Sequence, residues 1–205
     1  MKDGITVVIP TIPPRARLLE RAFASVQAQK LPPVATVVQL DEDHRGAAAT
    51  RQRGLEQVTT EWVAFLDDDD ELMPGHLRAL SIAARKFQAD YVFSYFMVKD
   101  GLGRERPDVD PLGHFGKPFD PDRPHQTTIT TLVRTELAQA IGFREPPPGA
   151  LINGECYGED FQFTVECVKA GATIVHVPRR TWFWHHHGIG QPGVPGNTSG
   201  RPDRW

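Results

Sequence analysis

Cysteine is almost missing: the 205 residues contain two, Cys156 and Cys167. Two isolated thiols supply neither a disulfide framework nor a metal-ligand spacing, so both are expected to be reduced. No apolar run approaches the ~20 residues that a membrane-spanning helix needs. Met1-Lys2-Asp3-Gly4 leads straight into a β-branched segment, without the basic and apolar regions of a signal peptide. A cytoplasmic protein with no membrane segment is the expectation. Excess positive charge is also lacking: 23 Lys and Arg stand against 26 Asp and Glu, and a net charge of -3 gives no global field to hold nucleic acid. There is no internal repeat, which excludes solenoids and propellers. With 40% apolar and 24% charged residues, the chain fits one soluble globular domain, 1–205, with a substantial core.

What is present is concentrated in one stretch. Glu61-Trp62-Val63-Ala64-Phe65-Leu66 reads as a strand buried on both faces, and it breaks into Asp67-Asp68-Asp69-Asp70-Glu71. The acids therefore stand where the carboxyl end of a strand leaves a sheet, which is where open α/β sheets bind ligands. Like charges held this close favour a hard divalent cation, manganese or magnesium, with carboxylate ligands. If the run stays extended, alternate residues point the same way, pairing Asp67 with Asp69 and Asp68 with Asp70. The plainer reading is a solvated acidic turn.

The flanking chain alternates strand and helix. Ile5–Ile9 is a β-branched strand ended by Pro10; Pro13-Pro14 opens a helix with Leu18, Leu19, Ala22, Phe23 and Val26 on one face. Val34–Leu40 is a second strand, ending at Asp41-Glu42-Asp43, and 46–54 an alanine-rich helix extended by Leu55 and Val58. After the acids, Met73-Pro74-Gly75 starts a helix carrying Leu77, Leu80, Ala84 and Phe87, and Tyr91–Val98 is a strand. This order predicts an α/β fold with a mostly parallel central sheet covered by helices. Residues 100–124 read as a long binding loop, 127–133 as a strand, and 136–141 as a short helix stopped by Gly142. Gly158-Glu159-Asp160 opens a further helix with Phe161, Val165 and Val168 inward, closed by Gly171. Two strand-like segments, 172–177 and 181–184, then form a small antiparallel C-terminal addition before a flexible tail at 188–205 rich in Gly and Pro.

The order Val8-Ile9-Pro10-Thr11, Val38-Gln39-Leu40-Asp41, Gly46 to Arg51 to Gly54, Phe65-Leu66-Asp67-Asp68-Asp69-Asp70, Gly158-Glu159-Asp160 and Lys169-Ala170-Gly171 resembles the family 2 inverting glycosyltransferases of the GT-A fold. The resemblance spans residues 4 to about 187. It implies transfer of a sugar from a nucleotide sugar, most simply a UDP-sugar, to an acceptor hydroxyl. Residues 1–100 would be the nucleotide-binding half and 101–187 the acceptor-binding half. Pro10, Thr11, Asp41, Arg51, Asp67 and Asp68 would hold the nucleotide, with Thr11 and Asp41 at the base and Asp68 on the ribose side. Asp69 and Asp70 would hold the metal, joined by His187 of the run His185-His186-His187. Asp160 would be the catalytic base and Glu159 its orienter. The acceptor stays open among a glycan, a protein, a small molecule and a modified nucleic acid.

Chemistry supports the assignment of Asp160, because an acceptor hydroxyl that attacks an anomeric carbon must lose its proton to a positioned base. Three other readings remain at this point. A haloacid dehalogenase-type phosphohydrolase wants Thr or Val four residues after its first Asp, where this chain has Glu71. A nucleotidyltransferase would carry a Gly-rich basic loop after the first strand, and Thr11-Ile12-Pro13-Pro14-Arg15 has no glycine. A non-catalytic nucleotide-sugar-binding module would keep the metal acids and have no need of Asp160.

Overall fold

The computed structural model describes residues 2–185 apart from 126, 148, 150, 153 and 154. The expected metal ligand His187 and the tail 188–205 lie outside the described residues. The first strand, β1 (Lys2–Thr11), is followed by one 3-10 turn over the two prolines (Pro13–Arg15), then α1 (Ala16–Gln27) and β2 (Ala35–Leu40). Next come α2 (Gly46–Glu56), β3 (Thr60–Phe65), the two-residue β4 (Glu71–Leu72), α3 (His76–Phe87) and β5 (Tyr91–Lys99). The remainder is β6 (Glu105–Arg106), β7 (Thr131–Arg134), α4 (Thr135–Ile141), the hairpin β8 (Leu151–Ile152) and β9 (Glu155–Cys156), α5 (Glu159–Lys169) and β10 (Ile174–His185).

The main sheet runs β2-β1-β3-β7-β5-β10-β4, with β6 paired to β5. Strands β2, β1 and β3 are parallel, and so are β5 and β10. Between the two groups sits β7, antiparallel to both β3 and β5. Sequence order alone puts β5 beside β3, so this insertion of a later strand is a departure from the simple alternation. Because β7 reverses direction, β5 still runs parallel to β3, and the carboxyl ends of β1, β3, β5 and β10 share one edge. The remaining antiparallel pairings are local: β4 with β10, β6 with β5, and the β8–β9 hairpin.

Two smaller differences have physical reasons. The strand expected at 127–133 begins only at Thr131 and runs to Arg134; upstream, Thr127 turns its hydroxyl to Thr164 of α5, 2.7 Å away, and to Tyr91. The two segments expected at 172–177 and 181–184 form one strand, whose register against β5 shifts between Val177 and Trp182. Pro178 lies in that interval, and a proline cannot donate to the ladder, so a bulge absorbs it.

The helices cover both faces. On one face α1 and α3 bury Ala22, Val26, Leu77 and Leu80 against Val7, Ile9 and Leu66. On the other, α2, α4 and α5 pack Leu55, Ala138 and Phe163 onto Val8, Phe65 and Tyr91. A close helix-to-sheet approach falls at Gly54, where an added Cβ would stand 2.5 Å from Cγ1 of Val8. Val8 is wholly buried on a central strand and has nowhere to retreat. Gly54→Ala should therefore cost ~1–3 kcal/mol of stability, read as a lower urea midpoint with an unchanged slope. An unchanged midpoint would show that α2 moves off β1 freely.

Candidate active site

The acidic run leaves β3 as a turn, not as an extended segment: the N–H of Asp70 donates to the carbonyl of Asp67 at 3.2 Å. Of the alternate pairing expected for an extended run, Asp67 still meets Asp69, but Asp68 and Asp70 part. Asp67, Asp69 and Asp70 converge instead, with one carboxylate oxygen of each lying within 4.8 Å of the others. Asp68 turns inward. It is fully buried, its Oδ2 accepts from Thr11 at 2.6 Å, and its Oδ1 accepts from Arg15 at 2.8 Å. Burial pushes its carboxyl up to about 6, against the pull of Thr11 and Arg15.

Asp70 is the most confined of the converging acids, at 3% exposure. Burial first, and then Asp69 and Asp67, raise its carboxyl well above the usual range, against the N–H of His185, 3.0 Å away, and the charge of Arg21. Around the turn stand Arg15, 3.7 Å from Asp69, and Arg21, which donates to the Asp69 carbonyl at 2.6 Å. Glu71 meets Lys99 at 3.2 Å and His185 Nε2 at 2.6 Å. Burial would raise the Glu71 carboxyl, but these two partners outweigh it and hold it low.

Arg51 connects the two halves of the crevice. It rises from α2, is 3% exposed, pairs with Asp67 at 2.5 Å, and donates to Glu159 at the start of α5. Burial would lower its pKa, yet Asp67 and Glu159 reverse that and lock in the positive charge. Asp160, next along α5, is half-buried and accepts the N–H of Phe161 at 2.7 Å. Burial, then the charge of Glu159, lift its carboxyl to about 7, with Arg51 pulling the other way. A carboxylate poised there has the proton affinity a general base needs at neutral pH.

The structure thus brings Pro10, Thr11, Arg51, Asp67, Asp68, Asp69, Asp70, Glu159 and Asp160 to one edge of the sheet. Pro10 is buried beside Thr11 at the end of β1. Asp41 follows the end of β2 and is 1% exposed. Its carboxylate accepts the N–H groups of Arg45 and Gly46 where α2 begins, and pairs with Arg53 at 2.8 Å. Burial is outweighed by these donors, and Asp41 is held below the ordinary range. The sequence reading passed over Arg15, Arg21 and Lys99. A usable signal existed, since basic residues just after β1 must face whatever follows the parallel strand β3.

The carboxylates of Asp67, Asp68, Asp69, Asp70, Glu71, Glu159 and Asp160 outnumber the cations Arg15, Arg21, Arg51 and Lys99 set among them. An all-oxygen donor set that outnumbers its local cations, with Asp67 and Asp69 crowding the buried Asp70, fits a divalent hard cation. Asp67, Asp69 and Asp70 are the residues that would hold one.

The class these features define is a GT-A-type α/β domain. Crystal structures of S. aureus TarS share the fold: residues 1–349 superpose with a TM-score of 0.68 at 18% identity, covering 91% of this chain and 61% of that one. The same fragment in complex with UDP gives 0.68, with 90% and 60% covered. A Campylobacter jejuni GalNAc(5)-diNAcBac-PP-undecaprenol beta-1,3-glucosyltransferase is 29% identical over 47% of this chain and 40% of its own length. The chain thus spans 40% to 61% of the length of these relatives. The model of glycosyl transferase family 2 matches residues 20–143, and the chain belongs to that family. The match includes Arg51 and the acidic turn; Thr11 and Glu159 lie beyond its ends but are tied to it through Asp68 and Arg51.

Proposed function

We propose that the chain is an inverting glycosyltransferase that moves a sugar from a uridine diphosphate sugar to an acceptor hydroxyl, with manganese or magnesium held by Asp67, Asp69 and Asp70. The observation that carries the reading is the placement of Asp160, raised to about 7, across Arg51 and Glu159 from the converging acids. The TarS complexes with UDP and UDP-GlcNAc support the donor class. The Campylobacter relative, named for a glycan on a lipid diphosphate, supports a sugar hydroxyl as acceptor.

The base takes the proton of the acceptor hydroxyl as its oxygen bonds to the anomeric carbon, on the face opposite the departing nucleoside diphosphate. The bond to the diphosphate oxygen breaks, and the configuration inverts. Glu159, fixed by Arg51, keeps a negative charge beside Asp160 and so preserves its basicity. A bound cation supplies charge neutralisation for the diphosphate as it leaves. Asp68 serves from beneath, tying Thr11 and Arg15 to the turn, and Asp41 fixes the first turn of α2 where the base of the nucleotide would rest.

Calorimetric titration with UDP tests the metal assignment. Affinity should be higher in manganese than in chelator by on the order of tenfold or more, a margin that Asp69→Asn should erase. Equal affinity under both conditions sinks the metal site. A thermal-shift panel of nucleotide sugars tests the donor, since a ligand of the native state raises the midpoint by mass action. A larger shift with guanosine than with uridine nucleotides would overturn the donor while leaving the fold untouched.

A further inference from the structure

Residues 21–40 and 72–89 contain no Asp or Glu. The fold joins them. Helices α1 and α3 pack on the same sheet face through Ala22, Val26, Leu77 and Leu80. The loop after α1 is tied to the approach to α3, where the N–H of Lys30 donates to the Pro74 carbonyl at 2.7 Å. The outward side of α3 and of the second half of α1 therefore carries no acid, Glu20 nearer the start of α1 being the exposed exception, and it is not uniformly polar. Lys30, Arg78 and Arg85 border a shallow cavity of about 340 Å³ together with Ile82. None of the three cations has an ion-pair partner among the described residues. Ile82 is 56% exposed, and Val34, in the adjoining groove of about 290 Å³ beside Phe23, is 60% exposed. Arg78, Ile82 and Arg85 stand at i, i+4 and i+7, one outward stripe of α3.

We infer that this face docks on the surface of an anionic lipid bilayer. Cations that no carboxylate neutralises gain by meeting anionic headgroups. Large apolar side chains set between them lower their exposure by entering the boundary of headgroups and acyl chains. A surface facing only water would be expected to intersperse both signs of charge and to keep such side chains covered. An acidic protein would satisfy the cations, but Ile82 lies between Arg78 and Arg85 while Val34 and Phe23 line a second groove, so the apolar side chains do not form the single groove that an anchoring side chain needs. The crevice lies at the strand ends, at the margin of this layer, so docking leaves the acid cluster open.

Co-sedimentation of the 205-residue chain with vesicles tests the inference. Partitioning should be strong on equimolar phosphatidylglycerol and phosphatidylcholine, weak on phosphatidylcholine alone, and reduced by salt. Each cation near an anionic surface contributes about fivefold to partitioning, so Arg78→Gln with Arg85→Gln should weaken it by roughly 25-fold. Ile82→Asp should weaken it as well at unchanged salt. All variants should melt and bind UDP as the parent does, because none of these side chains reaches the core or the crevice. Partitioning that ignores headgroup charge, that survives in the double variant, or that is abolished by millimolar inorganic phosphate at constant ionic strength overturns the inference. So does a failure to sediment with the anionic vesicles at low salt.

Discussion

Asp160→Asn should lower sugar transfer by ~100- to 10,000-fold while leaving UDP binding as it was, because the amide keeps the shape of the carboxyl and loses the base. The same substitution should raise stability at alkaline pH. Burial and Glu159 lift the Asp160 carboxyl to about 7, above the ordinary value near 4. Between those two values the folded chain holds a proton that the unfolded chain releases, so the parent loses stability as pH rises through that window. Above about 7 the cost is complete. The amide escapes it, and Asp160→Asn should gain on the order of 1–3 kcal/mol at pH 8 and converge with the parent near pH 4. A helix-capping acid would behave the other way, with lost stability and little specific loss of turnover. The pH profile of kcat/KM should show a limb rising through about 7 that disappears in the residual activity of the variant. Product formation at saturating donor, or slow donor hydrolysis where no acceptor is in hand, measures the rate. A variant that melts at the parent temperature and transfers at the parent rate ends the assignment of Asp160 as base, and with it the case against a non-catalytic binding module.

The parts of this site that were legible in the sequence are those governed by local pattern. The apolar run before Asp67 could only be a covered strand, which fixed where the acids emerge, and the acid pair Glu159-Asp160 lay where a helix begins. The direction of each carboxylate was not legible. Whether four aspartates continue a strand or turn depends on what receives them, and the pocket for Asp68 is made by Thr11 and Arg15, more than fifty residues earlier. The same limit explains β7. Nothing in Thr131–Arg134 says that it enters between β3 and β5, because the decision rests on pairings with Trp62–Ala64 on one side and Tyr91–Phe93 on the other. Asp41 is expected from the sequence to meet the base of the nucleotide. Its donors Arg45, Gly46 and Arg53 are near in sequence, yet their convergence needs the turn into α2 that only the fold shows.

Arg51 should be the residue whose loss costs the structure most. Its guanidinium is 3% exposed and forks between Asp67 and Glu159, joining the end of β3 to the start of α5. Arg51→Leu removes the shared counter-charge and leaves two carboxylates facing each other, and breaking a buried pair from one side costs about 3–5 kcal/mol. Against a total of about 5–15 kcal/mol, that is enough to unfold a marginal domain. Two gentler variants keep the test decisive if Arg51→Leu fails to fold. Arg51→Lys keeps the charge but cannot bridge two carboxylates with a planar fork, so an intermediate loss is expected. Arg51→Leu combined with Glu159→Gln should recover part of the loss, because one of the stranded charges is gone and the two sites are directly coupled. The deficit of Arg51→Leu should also shrink as pH falls, since protonating either stranded carboxylate relieves the repulsion. Urea unfolding in chelator, across pH, reads all of these. Additive effects of Arg51→Leu and Glu159→Gln, or a flat pH dependence of the Arg51→Leu deficit, would show that Arg51 contributes bulk to the crevice floor and leaves the acids to be balanced from elsewhere.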